Sequence, residues 1–429
     1  MPHRRIIGSL IAVGILACAA GCKSKSDAPA PTATPTAPTT SQTQASVTSA
    51  SPGVTASSVA AAGTSTGLGM GAPRPRYLRR QKPEKVEASS IFDDKKTHEK
   101  HPAIDAFDGD YKTAWTEGAA TDGEGEWLEG SFAAPKKIWG IVVDTGIVRT
   151  KPATAGASGD LFTQNAHAKK LRLQLDGADA FTREVAADEA SIAWDGIDRS
   201  VSKVRVVADA VWPGTKWKDF GITELSLLVD GTTFPTVPES MVQTEVDAAN
   251  VDESAPAAAK ILGRFGVQPP TSQLEGRKAK VSLQKASLVD GAGKERLLVV
   301  SLRGEPDEAG LCDEDVWIVF LGTIDDRLLG LGSDWISTKT KGDAPLTVEF
   351  TKLHAADVDD AVATWSSCTE TVTKSCAGLR AWSISRGFVQ RLVDVTSDEA
   401  PSIGDTVAPR AITATGLTLA FDAKAHVYR

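Results

Sequence analysis

The stretch that decides the fold is Asp108–Trp115, D-G-D-Y-K-T-A-W, with two partners further along: G-E-W-L-E at 125–129 and P-G-T-K-W-K-D-F-G-I-T-E-L at 213–225. An acidic, glycine-bearing turn ending in Thr-x-Trp makes a poor helix and a poor strand. It reads as a tight loop whose oxygens converge on one point while Trp115 plugs the core beneath. Around it, E-W-L-E-G-S-F (126–132), W-G-I-V-V-D (139–144), K-L-R-L-Q-L-D (170–176), K-V-R-V-V-A-D (203–209) and I-T-E-L-S-L-L-V (222–229) carry strand signals. Glycine, proline and aspartate turns separate them, with no long helical period between. L-R-L-Q-L alternates as a strand does when one face is buried and the other wet. These strands predict an antiparallel sandwich over 86–235.

In order and spacing these motifs carry a resemblance. A-I-D-A-F-D-G-D-Y-K-T-A-W looks like the opening of the discoidin, or F5/8 type C, superfamily of galactose-binding-like jelly rolls. The whole run resembles more particularly the glycan-binding domain found beside secreted NAD glycohydrolases and in many bacterial lipoproteins. T-A-W-T-E-G (113–118), G-E-G-E-W-L-E (123–129), D-T-G-I (144–147), Q-N-A-H-A-K-K-L-R-L (164–173) and V-W-P-G-T-K-W-K-D-F-G-I-T-E-L (211–225) carry it. Trp217 stands where the family usually has tyrosine and Thr223 where it has serine, and the insertion at 149–163 is long. The resemblance implies an all-β fold and carbohydrate binding. It also implies a structural Ca²⁺ on Asp108, Asp110, Thr113 and Glu224, an ion that takes six to eight oxygens in loose geometry. The alternative is that the two aspartates only hydrogen-bond the turn.

Both ends of the chain speak to place. Arg4 and Arg5, the apolar run 6–17 and Ala19-Ala20-Gly21-Cys22 read as a signal peptide over 1–21, too short to span a bilayer. A cysteine after small residues resembles the bacterial lipoprotein site, making Cys22 the lipidation residue, with Cys18 as its rival. Several acyl chains anchor stably where one does not. Lys23 after the cysteine favours the outer membrane or cell surface. Residues 22–85 then read as an Ala/Pro/Thr/Ser tether, disordered for want of apolar side chains, with a reach of roughly 40–50 Å. Its basic end, R-P-R-Y-L-R-R-Q-K at 74–82, reads either as a contact for anionic headgroups or glycan or as a solvated arm.

Removing 1–21 takes Arg4 and Arg5 with it and moves the formal charge from −8 to −10. So acidic a chain without a basic face argues against nucleic acid. After a linker or short helix at 236–259, a second β-rich domain over 260–429 is expected. Its strands are A-K-V-S-L-Q (279–284), R-L-L-V-V-S-L (296–302), D-V-W-I-V-F-L-G (315–322), L-T-V-E-F (346–350), L-R-A-W-S-I-S (379–385) and L-T-L-A-F-D (417–422). Its acidic loops at 289–295 and 356–360 read as solvated turns. Cys368 and Cys376 suit a hairpin disulfide, though pairing of either with Cys312 stays open.

No nucleophile motif accompanies His98, His101 or His167. Glu117, Glu124, Glu126 and Asp219 raise a glycosidase reading, but one sequence sets no distance between them. Indoles stack on the apolar faces of sugar rings, and a few convergent polar groups suffice beside them. Trp212 and Trp217, flanking Pro213-Gly214 in a loop, are the ligand-binding candidates, followed by Trp139 and Trp194. Trp115 and Trp127 are expected in the core. The chain thus reads as a lipid-anchored, non-enzymatic envelope protein that binds carbohydrate, peptidoglycan or another surface polymer. An exported hydrolase with its catalytic unit at the C-terminus, and a structural envelope protein, are the alternatives.

Overall fold

The computed structural model describes residues 74–428 except 97, 149, 152–158, 290–293, 343, 370–375, 406, 415–416 and 425. The stretch read as a signal peptide, Cys18, Cys22 and nearly all of the stretch read as a tether lie outside the described residues, as do positions 290–293 of the first acidic loop. The first domain is the expected sandwich. Its main sheet runs Leu78–Arg80, Leu225–Asp230, Trp127–Asp144, Arg199–Trp212, His167–Leu175, Ala178–Glu184. The two strands expected at 126–132 and 139–144 are one long strand, Trp127–Asp144. Its first half pairs with Lys85–Ala88 and its second with Ser191–Trp194. The ladder to Arg199–Trp212 shifts register between Val201 and Lys203. Pro135 stands in the opposing stretch, where a missing amide costs no ladder bond. Leu171, Leu173 and Leu175 point inward with Val204, Val206, Ile141 and Val143, all buried. Their alternation along the strands is what the sequence pattern expressed.

Trp115 is fully buried and donates its indole N–H to the Ser90 carbonyl at 2.9 Å. Trp139 and Trp194 are also buried, so neither is a stacking surface. Trp127 is not core. It is half-buried beneath the Arg205 guanidinium, 4.0 Å from its ring centroid, because its side chain falls on the wet face of an alternating strand.

The basic stretch 74–82 is neither a lipid contact nor a solvated arm, and the folded unit begins there rather than at 86. Leu78–Arg80 pairs antiparallel with Leu228–Asp230 at the edge of the first sheet. Tyr77, one residue earlier, is fully buried in the core of the second domain with Leu297, Phe320 and Trp382. Its hydroxyl donates to Glu295 at 3.0 Å and accepts from the Thr323 amide at 3.3 Å. A Cβ on Gly322 would come within 2.8 Å of the Tyr77 ring, so the ring packs where only glycine leaves room. Arg76 pairs with the same buried Glu295 at 3.0 Å. Of the positive charges that suggested a surface arm, Arg76 and Arg80 face the buried carboxylates Glu295 and Glu224, and Arg74 and Arg79 lie over Trp139 and Phe234.

The second domain starts at Thr236–Pro238, which pairs with Arg327–Lys341. Five strands run Thr236–Pro238, Arg327–Lys341, Leu311–Ile324, Glu295–Arg303, Lys278–Ala286. A four-stranded sheet, Thr347–Thr351, Asp360–Ser366, Ala377–Ser383, Gln390–Ser397, shares a core with it. The outer face of the first sheet is covered by helices Glu239–Val251 and Ala255–Gly263, through Val242, Val246, Ile261 and Leu262. The stretch read as a linker or short helix is therefore two helices. Ser254 caps the second one, accepting from the Ala257 amide at 3.3 Å, with Pro256 in its first turn. Cys368 and Cys376 form the hairpin disulfide and Cys312 is a buried free thiol. The second acidic loop is no solvated turn: Asp360 is fully buried and accepts from the Leu353 and His354 amides.

Candidate functional site

A cleft of about 210 Å³ opens on the first domain, lined by Phe92, Glu99, His101, Thr116, Ile147, Leu161, Asn165, Trp217 and Asp219. Each comes from a short element that the sandwich holds in place. Phe92 and His101 face each other across the hairpin Phe92–Asp94/Glu99–His101, with ring centroids 5.6 Å apart. Glu99 lies 3.1 Å from His101 Nε2. Thr116 belongs to a two-residue strand paired with Gly221–Ile222. Behind it, Trp115 meets Phe220 edge to face at 5.9 Å, a solid floor.

Trp217 is positioned by the turn Leu161–Gln164. Thr215 N donates to Thr163 O at 3.0 Å, and Lys216 N and Trp217 N both donate to Gln164 O, at 3.1 and 2.9 Å. Asp160 starts that turn by accepting from the Phe162 amide, and the buried Asn165 ends it, its side-chain amide on the Leu161 carbonyl at 2.8 Å. Trp217 packs against Ala114, Ile147 and Leu161 and carries the Lys216 ammonium 4.2 Å from its ring centroid. An indole braced in this way loses little freedom on meeting a ligand.

Trp212 does not line the cleft. It is half-buried, with its N–H on the Val185 carbonyl at 3.0 Å and Lys169 above its ring. Pro213-Gly214 separates the two tryptophans into different surroundings. Of the four carboxylates read as a glycosidase set, only Asp219 lines the cleft. Glu117 is buried beneath it, raised by burial against the opposing Ala119 and Phe220 amides. Glu126 accepts from the Ser89 and Ser90 hydroxyls. His167 is buried, its ring tilted against Phe162 with centroids 4.3 Å apart and its Nε2 3.0 Å from the Ala187 carbonyl. Phe92, Glu99, Thr116 and Asn165 were not singled out by sequence, and His101 was weighed only as a catalytic histidine. The 92–101 hairpin is short, polar and without periodicity, so only its aromatic-charged-aromatic composition hinted at it.

The expected metal residues gather only in part. Asp108 Oδ1 accepts from the Asp110 amide at 2.7 Å and Oδ2 lies 2.9 Å from the Thr113 hydroxyl. Glu224 Oε2 accepts from Gly109 N at 2.9 Å. The Asp110 carboxylate turns away to Arg391 in the second domain, at 2.6 Å. Glu224 Oε1 faces the Arg80 guanidinium at 3.2 Å. This donor set does not fit a calcium ion, because a fixed cation already faces the glutamate and a second one holds Asp110. Among the described residues no three His, Cys, Asp or Glu side chains converge as metal ligands. Burial, partly opposed by Arg80, pushes Glu224 up to about 7.

A larger cleft of about 330 Å³ lies between the basic segment, Lys136–Trp139 and Val229–Phe234. Its indole, Trp139, is covered by Arg74 at 5.5 Å, and Lys137 is paired with Asp198 at 2.9 Å. Trp139 is buried, whereas Trp217 in the smaller cleft, though Lys216 lies at its ring, is only half-buried.

Fold and cleft define a discoidin-like β-sandwich module carried ahead of a second β-sandwich. More particularly, residues 76–228 match the family described as the NAD glycohydrolase translocation F5/8 type C domain. Among solved structures the chain is similar to the family 32 carbohydrate-binding module of C. perfringens NanJ in complex with galactose (15% identity, 34% of this chain and 93% of that one, TM-score 0.26). It is also similar to a pectin-binding carbohydrate-binding module (15% identity, 36% and 96% covered, TM-score 0.25). A third is the family 32 module of AlyQ in complex with 4,5-unsaturated mannuronic acid (10% identity, 34% and 96% covered, TM-score 0.25). No curated protein matches the chain.

Proposed function

We propose that this protein binds carbohydrate at the Trp217 cleft and presents that cleft from a lipid anchor at Cys22 on the bacterial outer membrane or cell surface. The observation that carries the reading is the cleft itself. Trp217, Phe92 and His101 offer aromatic surface, while Asn165, Thr116, Glu99 and Asp219 offer polar groups to ring hydroxyls. Its volume is below the roughly 300–1,000 Å³ of drug-sized pockets, which suits a single sugar ring or a chain end. No lysine or arginine lines it, so a neutral sugar fits better than an anionic one. The role is binding rather than turnover. The buried His354–Asp360 pair, Nδ1 to Oδ2 at 2.7 Å, lies against Phe421 and organises a turn.

No described helix is long and apolar enough to cross a membrane. In this reading attachment rests on the cysteine that follows the small-residue site at 19–21. The test is a glycan and peptidoglycan array probed with detergent-solubilised full-length protein and its Trp217→Ala form. Retention of a saturable glycan signal after Trp217→Ala would move the site elsewhere.

A further inference from the structure

Against Gly109 of the acidic loop 108–113 and the nearby Glu224 lies one side chain, the guanidinium of Arg80. Arg80 ends the strand Leu78–Arg80, whose pairing to Leu228 delivers it beneath the loop. Its Nη1 lies 3.2 Å from Glu224 Oε1, while Glu224 Oε2 takes the Gly109 amide at 2.9 Å. Gly109 has φ +81°, and a Cβ there would stand 2.9 Å from Arg80 Nη1. The backbone conformation and the missing side chain both make room for the guanidinium. Phe388 of the second domain lies 5.6 Å from it on another side. The remaining loop oxygens are answered by the chain: Asp108 by the Asp110 amide and the Thr113 hydroxyl, Asp110 by Arg391.

We propose that Arg80 is the resident cation of this loop, which makes the domain calcium-independent, and that removing its charge uncovers a latent divalent-cation site built from Glu224, Asp108 and the carbonyls of 105 and 110. A guanidinium is planar and permanently charged, and it neutralises one carboxylate through directed hydrogen bonds. Calcium wants six to eight oxygens around a centre. The two are exclusive, because a divalent ion among those oxygens would sit beside a like charge it cannot displace. Tyr77, three positions earlier on the same edge segment, is fixed in the core of the second domain and keeps that charge in place.

The test uses the full-length protein in detergent. Melting is followed in EDTA and in millimolar calcium, with terbium luminescence as a direct probe excited through Trp115. Wild type is expected to melt at the same temperature in both and to give no saturable terbium signal. Arg80→Gln should melt lower in EDTA and recover part of the loss as calcium rises, since an ion binding only the native state stabilises by mass action. Arg80→Lys, which keeps the charge, should stay indifferent to calcium. A calcium-dependent rise or saturable terbium binding in wild type would overturn the proposal, as would a folded Arg80→Gln form indifferent to calcium. If Arg80→Gln does not fold, the wild-type and Arg80→Lys measurements still decide.

Discussion

At the scale of single residues, the ten tryptophans separate by what lies behind each ring. Trp115 is sealed between the acidic loop and Phe220, so Trp115→Ala should cost roughly 3–5 kcal/mol, read from denaturant unfolding. Trp217 is braced by backbone bonds at its base and open to the cleft. Trp217→Ala should weaken glycan binding at least tenfold with little change in stability, whereas Trp212→Ala should leave binding unchanged. Titration of all three forms on an array-identified glycan checks this. His426 supplies a pH prediction. Burial, with Arg386 and His354 nearby, holds it down to about 4 from an ordinary 6.5. The unfolded chain therefore binds the extra proton first as pH falls. Stability is full above about 6.5 and drops between 6.5 and 4, by at most about 3 kcal/mol. His426 has φ +54°, which asparagine tolerates. His426→Asn should flatten that part of the profile in melts from pH 7 to 4; an unchanged slope would assign the acid sensitivity to other groups.

At the scale of elements, what was legible followed periodicity and what was not followed partnership. K-L-R-L-Q-L-D and R-L-L-V-V-S-L alternate or run apolar because their faces are buried, and both are strands within a few residues of the expected bounds. The last strand of the first domain breaks at Thr223-Glu224, where Thr223 takes the Val148 amide and Glu224 takes Gly109. Such long-range polar contacts leave no local pattern. Arg327–Lys341 is the longest strand of the second domain, and its glycines, serines and lysines hid it. Gly332 in that strand lies against Val389, so its bareness reflects a close neighbour and not a turn. Leu78–Arg80 was read as an arm because its charge partners lie far along the chain. Tyr77 fills the second core, so Tyr77→Ala should cost about 3–5 kcal/mol there, while Tyr77→Phe should cost about 1–3 by taking one donor from the buried Glu295 and the acceptor from the Thr323 amide. Chemical unfolding of the two variants measures the difference; a Tyr77→Phe form as stable as wild type would show that the hydroxyl adds nothing.

At the scale of the molecule, the two sandwiches are joined by contacts from both ends of the sequence. Asp110–Arg391, Lys112–Asp394 and Tyr111–Gln390 bind the acidic loop to strand Gln390–Ser397. Leu78 and Phe388 share one apolar cluster with Trp139 and Leu228. Wild type is expected to unfold in one calorimetric transition, and Tyr77→Ala to resolve it into two. Cys22→Ala should shift the protein from the membrane fraction to the soluble one and abolish labelling with radioactive palmitate. Labelling that persists in Cys22→Ala would place the acyl group on Cys18.

The seat of Tyr77 also sets an order in time. Tyr77 and its partner Glu295 are separated by 218 positions, and the bond between them closes one of the longest loops in the protein. Contacts of such separation form late, because the entropy of bringing distant segments together must be met before anything rewards it. In a chain synthesised from its N-terminus, the tyrosine emerges well before the residues that will enclose it. The first sandwich must therefore assemble with its edge strand only half engaged, one apolar ring still in water. The protein is complete only when its second half has arrived to receive a residue from the beginning of its first.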